Sequence, residues 1–412
     1  MPTAVLSPYA DILRVPGARA FVGAGFVARL PMAMLGLGTV LLVREATHSY
    51  GLAGAVGATI AVANAIGAPQ IGRLVDRFGQ RRVLLPALFI HIAGVIALIA
   101  VAQLNAPRPA YFAAAFLTGV AFPSFGSLVR SRWAMLLRGS PRLQTAYALE
   151  SVLDELVFTF GPVLVTLLAT ALSPAFGLAT GVGFLLVGGL SFAAQRATEP
   201  PLSPRGERTG SAIRAPGLLV LAFVMIGLGG VFGTIEVSMV AFAEQHGREA
   251  LTGPLLALHA ISSAVAGVLY GARSWRMRLE RRLAVAVVLL FAGTIPLALA
   301  DSIALMVPAI VASGVSVSPT LIASFALVES IVPRAALTEG FAWLSTSLGA
   351  GIAVGLAVAG HVVDATSGHR AFSVAIAASL LSAVVALAFR GRLRAAPADP
   401  DREPEPEPAE AR

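Results

Sequence analysis

Three charged residues stand where charge is expensive. Arg29 lies in "VARLPMAMLG" and Asp154 and Glu155 lie in "ESVLDELVFTFGP", each within a long apolar run. A charge at mid-membrane costs roughly 2.5–3.5 kcal/mol on insertion scales, so such residues are paired or functional. Glu150 and Asp154 are spaced i, i+4, as are Ser151 and Glu155, which makes one polar stripe on a helix. Asp154 and Glu155 themselves point about 100° apart, so Arg29 can readily pair with only one of them. The other would be buried without a cation. Burial disfavours its charged form, so it could bind and release a proton near neutral pH. The expected arrangement pairs Asp154 with Arg29 and leaves Glu155 as proton carrier; a static salt bridge is the alternative. Glu236, in "GGVFGTIEVSMV", is expected past the midpoint of its run, in contact with substrate, lining an outer vestibule or simply interfacial.

Other chemistries find no residues. The chain has no cysteine, so thiol catalysis, disulfides and thiolate metal sites are excluded. His48, His91, His246, His259, His361 and His369 form no HxxxH or HExxH spacing, so no metal site is expected. His91 and His259 are lone histidines in apolar runs and read as core residues. There is no lysine and no GxxxxGK[ST] pattern, hence no phosphate-binding loop. No nucleophile–base constellation appears, and the chain is not expected to be an enzyme or to carry a cofactor.

The elements that hold these charges follow from composition. Hydrophobic residues make up 57% of the 412 and charged residues 13%, about half the roughly 25% of soluble domains, too few to give so long a chain a polar skin. A membrane helix needs about 20 apolar residues. Twelve runs qualify: 19–43, 50–72, 83–104, 109–130, 144–171, 174–195, 216–243, 250–272, 283–300, 302–328, 337–363 and 370–390. They do not alternate with period two, as barrel strands would, so an all-α integral membrane fold of twelve spans is expected. Arg29 would then lie about 15 Å deep in span one, with Asp154 and Glu155 at similar depth in span five.

Every basic residue is arginine. With the N-terminus in the cytoplasm, all but Arg29, Arg44, Arg108, Arg248 and Arg370 fall on the cytoplasmic side. This bias places both termini there. It also accounts for a sequence pI of about 11.0 without a nucleic-acid partner. The alanine-, glycine- and arginine-rich usage suggests high-GC coding and a bacterial source, hence an inner membrane. Residues 1–19 lack the pattern of a cleavable signal peptide.

Residues 196–215, rich in Pro, Gly, Ser and Arg, read as a cytoplasmic linker between six-span halves at 1–195 and 216–391. The tail 392–412 is Pro- and Glu-rich and expected to be disordered. The halves repeat weakly. "GVAFPS" (119–124) faces "GVSVSPT" (314–320), and 145–161 aligns with 339–355, pairing Tyr147 with Phe341 and Gly161 with Gly355. Gly72 corresponds to Gly271. Such repeats suit a transporter with its site between the halves.

"GRLVDRFGQRR" (72–82) is a hydrophilic island between spans two and three. Gly72 permits close helix approach, Gly79 a tight turn, and Arg81 and Arg82 hold the segment on an anionic membrane face. Gly72, Leu74, Asp76, Arg77, Phe78, Gly79, Arg81 and Arg82 together resemble the loop signature of the major facilitator superfamily. The resemblance covers the twelve-span chain. It implies that Asp76 locks the two halves on the cytoplasmic side, through arginines and the N-terminal end of span eleven; a loop serving topology alone is the alternative. The second copy, "YGARSWRMRLERR" (270–282), has Trp275 in place of Asp76, so such a lock would be asymmetric. "FGPVL" (160–164) is similar to the Gly-Pro motif of the drug/proton antiporter branch, with Val163, Leu164 and Val165 where that branch has further glycines.

The resemblance also implies that spans one, four, seven and ten line a cavity. Their candidates are Met32, Met34, Phe122, Phe125, Met225, Phe232, Met239 and Phe325, adaptable surfaces suited to lipophilic ligands. Amides are nearly absent, Asn64 being the main exception, which disfavours sugars. The expected function is proton-coupled export of small organic compounds by a monomer in contact with membrane lipids, powered by the proton gradient. A proton symporter or uniporter importing a metabolite, and a transport-inactive sensor or assembly protein, are the alternatives.

Overall fold

The computed structural model describes residues 2–202, 211–248 and 251–394. Their regular structure is entirely helical: α1 Pro2–Leu13, α2 Ala18–Thr47, α3 Tyr50–Phe78, α4 Gln80–Gln103, α5 Arg108–Val120, α6 Phe125–Leu136, α7 Arg142–Ala171 and α8 Pro174–Ala194, then α9 Pro216–Gln245, α10 Thr252–Ala272, α11 Leu279–Thr294, α12 Ile303–Gly314, α13 Val317–Ile331, α14 Leu337–Ala365 and α15 Gly368–Ala388. Twelve helical segments are long and apolar enough to cross a membrane, each within a few residues of an expected run. Residues 203–210 of the linker, and the tail from 395, lie outside the described residues.

Spans four and ten are each built from two helices, α5–α6 and α12–α13. The interruptions fall on "GVAFPS" and "GVSVSPT", the stretches that repeat between the halves. Pro123 and Pro319 have no N–H to continue the helical ladder. The weak sequence repeat is thus a shared helix break.

The segment 72–82, expected to be a loop, is almost wholly helical. α3 runs to Phe78 and α4 begins at Gln80, so Gly79 alone makes the turn, with φ +92°, a conformation glycine adopts without penalty. The backbone amide of Arg81 donates to Glu199 Oε1 at 3.0 Å, so an acceptor from the start of the linker caps α4. The helix α1 was not among the expected elements. It packs against α7 and α10.

Within the halves, helices meet at glycines. A Cβ on Gly355 of α14 would lie 2.4 Å from the carbonyl oxygen of Gly230 on α9, and one on Gly229 would lie 2.1 Å from Leu348 O. Only glycine permits this backbone contact.

The buried core shows how the halves are disposed. The largest apolar cluster lies at the end of the bundle that carries the α3–α4 turn, and it takes side chains from both halves: Val75, Trp133 and Tyr147 with Tyr270, Phe325 and Phe341. The two smaller clusters each stay within one half, around Leu42 and Tyr111 in the first and around Phe242 and Met306 in the second. Helix α7 follows the same division. Thr145–Ala148 and Glu150–Ser151 are buried, whereas from Glu155 to Ala171 only Val157, Gly161 and Val165 are. Helix α14 repeats this: beyond Leu348 only Gly351, Gly355 and Ala359 are buried. The halves are therefore joined at the α3–α4 end and part towards the other.

Candidate functional site

Arg29 of α2 is buried in the joined region, with 2% of its side chain accessible. Its Nη1 donates to Asp154 Oδ1 at 2.7 Å and its Nη2 to Glu150 Oε2 at 2.6 Å, both on α7. The second oxygen of Asp154 accepts from Arg130 Nη2 of α6 at 2.7 Å. Trp133 Nε1 donates to Glu150 Oε1 at 2.9 Å, and Arg29 Nε to Gly25 O at 3.1 Å. Two guanidinium groups thus meet two carboxylates in a neutral set, and charge-assisted bonds of this length are strong. The pairing of Arg29 with Asp154 matches the sequence expectation. Glu150, on the polar stripe, is a further partner; Arg130 and Trp133 were not anticipated, since nothing in a linear sequence shows that span four faces span five here. Arg130 also lies 3.9 Å from the ring centroid of Phe325 on α13, so the network touches the second half through a cation–π contact.

Glu155 turns away from this set. Its Oε1 accepts a hydrogen bond from Ser263 Oγ of α10 at 2.7 Å, and Ser263 is in turn 2.9 Å from Ser318 Oγ of α13. Among the described residues no cation pairs with it. Glu155 stands on α7 at the point where the helix passes from burial to exposure, so it links the two halves at the floor of the space between them.

A second polar junction lies at the α3–α4 turn. Asp76 accepts from the backbone amides of Thr338, at 3.1 Å, and Glu339, at 2.9 Å, in the first turn of α14. A carboxylate there satisfies amides that have no intrahelical partner. Gly72 lets the helices close: a Cβ would come within 2.9 Å of Glu339 Cα. The arginine of this junction is Arg73, which donates to Glu339 at 2.9 and 3.3 Å. Glu339 also accepts from Ser211 Oγ and, at 3.2 Å, from the Ala212 amide. Of the expected lock on Asp76, the N-terminal end of span eleven is found, through these two amides; the part assigned to arginines needs correction, because among the described residues none is paired with Asp76. Arg77 and Arg82 are exposed, with Arg77 beside the Phe78 ring, and Arg81 contributes its backbone.

The expected cavity list is corrected more heavily. Met34, Phe122, Phe125, Met225 and Met239 are buried inside the halves. Phe122 stacks edge-on against His91 with centroids 4.8 Å apart, and Phe125 packs against Phe192. Phe325 is buried beneath Arg130. Met32 and Phe232 remain partly accessible, and Glu236 is exposed on α9, apart from the other charges. On apolar helices, hydropathy carries no record of which face meets lipid, core or cleft. His91 is a satisfied core residue, with Nδ1 2.6 Å from Thr118 O. His259 is buried against Phe232, with its Nε2 unpartnered among the described residues. No group of three or more potential metal ligands occurs among the described residues.

The sequence profile of the Major Facilitator Superfamily matches residues 21–306 and 256–411. Several solved structures share the fold. The human organic anion transporter MFSD10 (TETRAN) is 19% identical, with a TM-score of 0.67, over 90% of this chain and all of that one. A bacterial homologue of the iron transporter ferroportin, in an outward-facing state, is 15% identical at TM-score 0.69, covering 91% and 99% of the two chains. The transporter FucP, in its outward conformation, is 14% identical at TM-score 0.67, covering 90% and 98%. No curated protein matches the chain in sequence. At these identities the solved structures bear on the fold alone, while the family profile spans nearly the whole chain. Twelve spans in two joined halves, repeated helix breaks and this match lead to one conclusion: the chain belongs to the Major Facilitator Superfamily and is a multi-pass membrane transporter of that type.

Proposed function

We propose that the protein is a proton-coupled exporter of small lipophilic compounds in a bacterial inner membrane, of the drug/proton antiporter kind, working by alternating access. The observation that carries this reading is the division of labour between adjacent carboxylates. Asp154 is saturated by Arg29 and Arg130, whereas Glu155 faces the other half, where among the described residues a serine hydroxyl and no cation meets it. A carboxylate without a counter-ion, at the floor of a space between two moving bodies, is suited to exchange its proton as its surroundings change from wet to dry.

In this reading the arginine-rich joined end is cytoplasmic by the positive-inside rule, both termini lie on that side, and the described state is open to the outside. Glu155 takes up a proton from that side. Neutralised, it no longer has to keep its hydration, and the halves can close around it at lower cost. Substrate then enters from the cytoplasmic side, where proton release to the cell interior completes the cycle. Met32 and Phe232 remain candidates for apolar contact with substrate, and Glu236 is a candidate vestibule charge. The proton gradient supplies the energy, and the working unit is a monomer.

The test is a compound panel in an efflux-deficient bacterial host, comparing wild type, Glu155→Gln and Asp154→Asn at matched membrane levels. We expect wild type to lower accumulation, a protonophore to abolish that effect, and Glu155→Gln to lose proton-driven export. Full protonophore-sensitive export by Glu155→Gln would overturn the assignment of the carrier. Higher accumulation in wild type would mean uptake.

A further inference from the structure

The two junctions that hold the joined end are built with opposite polarity. At the first, the carboxylate of Asp76 meets the amide end of α14. At the second, donors from the first half meet the carbonyl end of α10. Gln144 Nε2 donates to Tyr270 O at 3.0 Å and Thr145 Oγ1 to Gly271 O at 2.8 Å. Arg282 secures Gln144 by donating to its side-chain oxygen. Tyr9 on α1 donates to Val268 O at 2.8 Å.

The last carbonyls of a helix have no intrahelical partner and need donors; at this end of α10 Gln144 and Thr145 of the opposite half supply them, and Trp275 Nε1 of the same half adds a bond to Tyr270 O at 2.9 Å. Trp275 stands where a second aspartate would fall. A carboxylate there would face carbonyl oxygens, so the polarity of the junction explains the asymmetry between the repeats.

Tyr9 differs from the other donors in where it comes from. Helix α1 precedes the first span and is tied to the first half. Residues 14–17 join it to α2, Arg19 Nε donates to Leu13 O at 3.1 Å, and Gly17 turns the chain beside Thr198 with φ +80°. Yet its tyrosine is seated on the second half. The ring is 8% exposed and Ile12 beside it is fully buried. The seat is Gly271, where a Cβ would come within 2.5 Å of the Tyr9 hydroxyl and 2.3 Å of Ala148 Cβ. The hydrogen bond therefore spans two bodies that must separate here for the joined end to open.

We infer that Tyr9 is a gating residue, whose hydroxyl latches α10 to the first half and must release each time the joined end opens. Burial pushes the Tyr9 phenol up from its ordinary value, so it stays a proton donor throughout the physiological range. The inference rests on alternating access but not on proton coupling, substrate or direction.

The test needs no substrate. The chain contains no cysteine, so Ser131→Cys introduces a single thiol. Ser131 is buried at the interface, 2.8 Å from Thr338 Oγ1, and a maleimide reaches it only when the joined end opens. The labelling rate of purified protein is compared with and without Tyr9→Phe. Ser379→Cys, buried beside Thr294 inside the second half, serves as a second background. Loss of one buried hydrogen bond is expected to speed labelling at Ser131→Cys by about two- to tenfold and to leave the rate at Ser379→Cys unchanged. Equal rates at Ser131→Cys with and without the hydroxyl would overturn the latch. So would equal acceleration at both thiols, which would mean general loosening.

Discussion

At the residue scale, the protein separates two problems that a buried carboxylate poses. Glu150 and Asp154 are neutralised by Arg29 and Arg130 and bind the helices of the first half together. Glu155 meets no cation among the described residues and can answer to its surroundings. Removing one member of a buried ion network strands the others, which costs about 3–5 kcal/mol. Arg29→Gln is therefore expected to lower the thermal midpoint of the purified protein sharply, whereas Glu155→Gln should leave it nearly unchanged. Replacing Arg29 and Glu150 together by methionine should recover part of the loss, because apolar pairs of similar volume often match a buried ion pair. A midpoint for Arg29→Gln within a degree of wild type would show that the cluster is not a structural unit.

At the element scale, helix ends do much of the polar work. The amide end of α14 takes Asp76 and the carbonyl end of α10 takes Gln144 and Thr145. The far end of α9 offers a third case. His246, just beyond that helix, lies with Nδ1 2.8 Å from Phe242 O and Nε2 3.0 Å from Asp301 O. Two carbonyl acceptors favour an imidazolium that donates from both nitrogens, and these bonds raise its pKa above 6.5. The sign follows: a raised folded-state value adds stability that is complete below the unfolded value of 6.5 and is lost as pH rises through the folded one. Thermal stability should thus show a small decline above pH 6.5 that His246→Gln removes. An identical pH profile in that variant would refute the assignment.

At the scale of the whole molecule, the joined end is a pseudo-symmetric contact between halves. Tyr147 and Phe341, paired in the sequence repeat, meet each other with ring centroids 6.0 Å apart, as residues related by a two-fold axis must when they lie close to it. Closure there depends on small residues, Gly72 on one side and Gly271 on the other. Gly72→Val would push a side chain into the backbone of α14, an overpacking cost of about 1–3 kcal/mol borne only while the halves are joined. It should shift the protein towards the state open at that end, read as faster labelling of the Ser131→Cys thiol. No acceleration would mean that α14 yields locally without the halves moving.

Composition and patterning alone determined the twelve spans and the two halves, and limited Arg29 to one of the adjacent Asp154 and Glu155; the structure chose Asp154 and added Glu150. The spans, the halves and that limit follow from forces that act locally along the chain: the length of apolar run a bilayer requires, the punctuation of proline and glycine, and helical spacing. The motif at 72–82 was legible as a family feature, but its form was not. A single glycine turn replaced a loop because α3 and α4 are each stabilised beyond the apolar stretch by neighbours the sequence does not reveal. Tertiary structure alone decided that Arg130, Trp133 and Ser263 complete the charge site, that Arg73 rather than its neighbours joins Glu339, and that Met34 and Met225 pack into cores. In a membrane protein, lipid, core and cleft all accept the same apolar side chains, so facing is set only when helices meet.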